Sequence, residues 1–76
     1  MARADPVHTE VVERACRLLG PAPLANLLRV SSAMVETWLA GTASTPPRML
    51  FRMVRLLQHR DPAFRPFLAQ RLEEDR

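Results

Sequence analysis

Residues 24–41 read LANLLRVSSAMVETWLAG, two apolar helical periods separated by a short break. Leu24, Leu27 and Leu28 fall on one helical face, and Val35, Trp38 and Leu39 fall on another. Between them, Arg29-Val30-Ser31-Ser32 interrupts the period and supplies two hydroxyl residues. Ser31 or Ser32 can cap a new helix by accepting one of its unsatisfied amide protons. The stretch therefore reads as helix, tight turn, helix, with the pair of helices spanning residues 21–41.

The flanks extend the same pattern. Upstream, Asp5-Pro6 is a cap followed by a proline in the first helical position. Val7, Val11, Val12, Ala15, Leu18 and Leu19 then recur at steps of three and four until Gly20, a helix stop. Pro21 and Pro23 cannot extend that helix, but either can open the next one, which is expected to run to about Arg29.

Downstream, Gly41 ends the third helix and Thr42 to Pro47 forms a loop, in which Thr45 before Pro46-Pro47 repeats the cap-plus-proline start. The fourth helix turns Leu50, Met53, Val54 and Leu57 inward and shows Arg48, Arg52, Arg55 and His59 as one outward stripe. Asp61-Pro62 marks a break. Because a proline deep in a helix costs about 3 kcal/mol, the last helix is expected to begin near Pro66 and to cover residues 66–74. Its apolar side is Phe67, Leu68 and Leu72, joined by Phe64 from the preceding turn. No strand signal, repeat or low-complexity tract interrupts this reading. The expected fold is a single all-α domain over residues 1–76, a bundle of about five short helices.

Composition narrows the function. With 76 residues the chain has room for one small core. Eleven strong bases, all Arg, exceed eight acids for a formal charge of +3, which favours an anionic partner without requiring one. The single cysteine, Cys16, excludes an internal disulfide, and its apolar neighbours make it a structural thiol. His8 and His59 are isolated, so no zinc spacing arises and no metal or cofactor is expected. Gly20 and Gly41 are both helix ends and make no phosphate-binding loop. Glu10 and Glu13 are spaced to pair with Arg14 and Arg17 on a helix surface rather than to form a catalytic dyad. An enzyme is not expected. Neither a signal peptide nor an apolar run of about 20 residues is present, so the expected location is the cytoplasm, at the bacterial nucleoid if the chain binds DNA.

The same segment resembles the DNA-binding domains of the phage Cro and lambda-repressor superfamily. The resemblance rests on the small residue Ala25, Val30 after the turn, Val35 and Trp38 in the next helix, and Gly41 at its end. It continues through WLAG, Pro46-Pro47 and LFRMVRLL, and covers about Val11 to Leu57. It implies a DNA-binding transcription regulator whose third helix enters the major groove of double-stranded DNA. By position, the base readers would be Ser31, Ser32, Ala33, Glu36 and Thr37, with Ala40 at the margin. None is an Arg, Lys, Asn or Gln, so readout is confined to Glu36 on a cytosine amino group and methyl contacts from Ala33 and Thr37, which implies modest specificity. Phosphate contacts would come from Arg29, Thr42, Ser44, Thr45, Arg48 and Arg52.

The family pattern is broken in two places. Arg29 stands where many members carry Gly to leave the second helix, so a left-handed backbone there has a cost and a differently shaped turn is the alternative. Pro21 and Pro23 replace the polar opening of that helix. One such domain makes few contacts, so a homodimer is expected, with Phe64, Phe67, Leu68 and Leu72 either forming the dimer surface or simply covering the core. The alternative function is a protein-interaction module that keeps the fold without binding DNA, its Arg stripe or C-terminal apolar face meeting a protein partner.

Overall fold

Pro6 opens α1 (Pro6–Leu19), and Val11, Val12 and Ala15 on its inner face are almost completely buried. The computed structural model describes residues 6–74, so the expected cap at Asp5 lies outside the described residues. Gly20, with φ of 92°, turns the chain directly into α2 (Pro21–Leu28), whose first turn holds Pro21 and Pro23. α3 (Ser32–Ala40) follows a three-residue turn, then come α4 (Pro47–Arg60) and α5 (Phe64–Glu74). The fold is all-α, and the described residues contain no strand. None of its helices is long and apolar enough to cross a membrane, among the described residues.

α1 is the hub, packing on α2, α3 and α4, while α2 packs on α3 and α5 attaches to α4. Leu24, Ala25 and Leu28 from α2, Val35 and Trp38 from α3, Met53 and Leu57 from α4, and Phe64 from α5 meet the α1 valines in one core. Each of these residues is at most 2% exposed. The small side chain of Ala25 lies in this core among the larger residues of both helices.

Local chemistry explains most of the boundaries. The Ser31 hydroxyl accepts from the Met34 amide at 3.1 Å, which makes Ser31 the N-cap of α3. Gly41, left-handed at φ 73°, closes that helix by donating its amide toward Trp38, and the Thr42 amide donates to the Thr37 carbonyl at 3.1 Å. α2 stops at Leu28, one residue before the expected end, because Arg29 itself is left-handed (φ 59°, ψ 43°).

Two expected helix starts are corrected. Thr45 does not cap α4: Pro46 occupies the N-cap position, no side chain caps that end, and Thr45 is turned inward at 6% exposure. α5 begins at Phe64 rather than near Pro66. Proline is tolerated as its third residue because the first four amides of a helix have no intrahelical acceptor. Asp61 organises this corner, accepting the Ala63 amide on its carboxylate at 3.0 Å and the Phe64 amide on its carbonyl at 3.1 Å.

α5 is tied back to α1 by charge. The Arg71 guanidinium donates twice to Glu10, at 2.9 and 2.7 Å, and Arg14 donates to Asp61 at 3.3 Å. Between these pairs lies the Phe67 ring, with the Arg14 guanidinium carbon 4.1 Å and that of Arg71 5.7 Å from its centroid.

The αL conformation of Arg29 costs about 1 kcal/mol relative to glycine in the same place. Arg29→Gly is therefore expected to stabilise the domain by about 0.5–1 kcal/mol, which a thermal melt reads as an increase of a few degrees. A lower melting temperature would show that the arginine side chain contributes packing that outweighs its backbone strain.

Candidate nucleic-acid interface

The outward side of α3 carries Ser32, Ala33, Glu36 and Ala40, all exposed, with exposed Ser31 at its start and half-buried Thr37 on its flank. Their chemistry is more restricted than their positions. Ser31 uses its oxygen as the helix cap. The Thr37 hydroxyl donates to the Met34 carbonyl at 2.7 Å, so its proton is spent within the helix and its methyl group is what remains for contact. Met34, 45% exposed, adds an apolar side chain to this helix that the positional reading did not include.

The expected phosphate contacts divide into two groups. Thr42 has both donors engaged, since its amide and its hydroxyl each reach the Thr37 carbonyl, the hydroxyl at 3.2 Å. Thr45 is buried and offers almost no surface. In contrast, Arg29, Ser44, Arg48 and Arg52 are exposed. No ion pair among the described residues involves Arg29, Arg48, Arg52 or Arg55.

That freedom follows from how charge is distributed along the chain. Residues 21–60 contain five Arg and a single acid, Glu36, whereas the remaining residues contain six Arg against seven acids. The ion pairs therefore collect on α1, α5 and the corner before α5, where Glu10, Glu13, Asp61 and Glu74 hold Arg14, Arg17 and Arg71. The α2–α4 half is left with uncompensated cations. The total of +3 conceals this division, and a charge count by segment reveals it.

Three of the free arginines converge. Arg29, from the end of α2, and Arg52 and Arg55, from one face of α4, line an open depression of about 410 Å³ together with Leu27. Arg48 and Ser44 stand outside it. Arg55, expected only as part of the stripe that could meet a protein partner, and Leu27 were not among the expected phosphate contacts, because their proximity to Arg29 depends on tertiary packing.

The expected dimer surface needs correction at Phe64, which is fully buried at 0% exposure and belongs to the core. Phe67 lies beside it, with ring centroids 5.9 Å apart, and is half-covered beneath Arg14 and Arg71. Leu68 is partly buried against the core, and Leu72 alone of the four is broadly exposed, at 61%.

Cys16 packs against the core from α1. Burial first, and the neighbouring Glu13 carboxylate second, push its thiol above the usual range and keep it protonated. Among the described residues no group of three His, Cys, Asp or Glu side chains is placed to hold a metal ion. Compared with known proteins, the chain matches no family model, no curated protein and no solved structure.

Proposed function

We propose that this chain binds double-stranded DNA as a small regulator of transcription, laying the first turns of α3 in the major groove and holding phosphates with Arg29, Arg48 and Arg52. The observation that carries this reading is the set of unpaired arginines on α2 and α4, in the half of the sequence almost free of acids. The helix, three-residue turn and helix of residues 21–40, with Ala25, Val35 and Trp38 buried between them, support it as well. This is the arrangement to which the family resemblance points.

Specificity on this reading is modest. Glu36 and the methyl groups of Ala33 and Thr37 face the bases, and affinity comes from the phosphates. A dimer doubles those contacts and is the working form, in a cell the nucleoid is its site, and the chain binds rather than catalyses. A second reading, a protein-interaction module without DNA, is favoured by the exposed Leu27 and Phe51 near the cationic stripe, because phosphates make no use of apolar side chains.

Titration of duplex DNA at several salt concentrations tests the first reading. Affinity should fall steeply as salt rises, and Arg29→Ala, Arg48→Ala and Arg52→Ala should each reduce the slope of log K against log salt by about one. Absence of binding at low salt by a folded protein refutes it and leaves the protein-interaction reading.

A further inference from the structure

We propose that the groove between the end of α2 and α4 receives the acidic last turn of α5 from a second copy of this chain. The groove presents three guanidiniums, from Arg29, Arg52 and Arg55, with no acid among the described residues paired to them. Leu27, 49% exposed, is the apolar residue of its lining, and Phe51, 70% exposed, stands on α4 one helical turn before Arg55. A bare phosphate satisfies the guanidiniums and leaves both apolar side chains in water. An acidic segment with an aliphatic anchor satisfies both at once.

The chain carries one such segment. Leu72, 61% exposed, is followed by exposed Glu73 and Glu74, and Glu73 has no ion pair among the described residues. Glu74 meets Arg71 of its own helix at 2.9 Å in an exposed contact that contributes little. Among the described residues of one chain nothing covers the groove or the segment. Exchange of the last turns between two copies covers both, and a two-fold arrangement satisfies each groove with the other copy's helix end and closes the assembly.

This rests on the dimeric part of the proposed function but takes Arg29 and Arg52 from its phosphate contacts, since in such a dimer they hold carboxylates and Arg48 is left to the phosphates; sedimentation tests it without DNA, so the two fail separately. Sedimentation of the full chain at rising concentration is expected to show a dimer that weakens with salt. Glu73→Arg/Glu74→Arg and Arg52→Glu/Arg55→Glu, both built on exposed residues, should each weaken dimerisation at least tenfold while leaving the helical signal and melt unchanged. Mixed in equal amounts, the two variants should associate again, because each groove then meets a tail of opposite charge.

A wild-type chain that stays monomeric overturns the proposal, as does a dimer indifferent to both charge reversals. So does a mixture that fails to associate while each variant is folded. If the wild type is monomeric and Arg52→Glu/Arg55→Glu abolishes DNA binding, the groove is a nucleic-acid contact instead.

Discussion

Trp38→Ala is expected to abolish the cooperative melt of this domain. Trp38 is 2% exposed and is the largest side chain in a core to which all five helices contribute. Removing an indole from such a position costs about 3–5 kcal/mol, from lost transfer energy and from the cavity left behind. A domain of this size has little more than that in total, since native stabilities run at about 5–15 kcal/mol and the small ones lie at the lower end. The cavity cannot collapse easily, because α3 is held at both ends, by the Ser31 cap and by the left-handed Gly41. Circular dichroism during heating and urea titration reads the result. A variant with full helicity and a transition close to the wild type would show that Trp38 does not hold the core together.

Phe64→Ala should be nearly as damaging, and it separates two roles that one position can hold. As a dimer residue, Phe64 could be truncated with little effect on the folded monomer. As the single fully buried residue of α5, it anchors that helix to the rest of the molecule, and its loss should cost about 3–5 kcal/mol. Phe67→Ala provides the internal comparison: its ring is half-covered and its cation–π contacts are each worth about 0.5–1 kcal/mol at an exposed site, so it should cost clearly less. Urea midpoints of the two variants decide the matter. A Phe64→Ala protein as stable as the wild type would return that residue to the surface.

What the sequence discloses here is local chemistry, and what it withholds is long-range. Ser31 as a cap and Gly41 as a stop are legible because each acts within one turn of its own position. The burial of Val35 and Trp38 is legible because the apolar period of a helix defines its inner face. Thr45 is misleading for the same local reason: a threonine before two prolines reads as a cap, yet Pro46 supplies the required backbone geometry and the threonine turns inward. Pro66 misleads because the penalty for proline vanishes in a first turn.

Phe64 and the arginine groove are of another kind. Nothing within several residues of Phe64 indicates that it is fully buried in the shared core. Arg29 and Arg55 are neighbours only because α2 and α4 pack around the same hub. The surplus of cations over residues 21–60 was available from the sequence, but which of them meet was not.

The prolines have a further effect on how this molecule handles negative charge. A proline sits in the first turn of four of the five helices, at Pro6, Pro21 and Pro23, Pro47 and Pro66, and each one deletes an amide donor from the positive end of a helix dipole. Only α3 begins without one, so the amides of Ser32 and Ala33 keep the electrostatic pull that the other helix starts have in part given up. Anions arriving from solution thus meet one helix start from which proline has removed no donor, although Ser31 already takes its Met34 amide, and elsewhere helix starts short of one or two amides. On the DNA-binding reading proposed above, α3 offers the fixed, oriented backbone contact, whereas the arginines offer attraction that is adaptable and readily screened by salt.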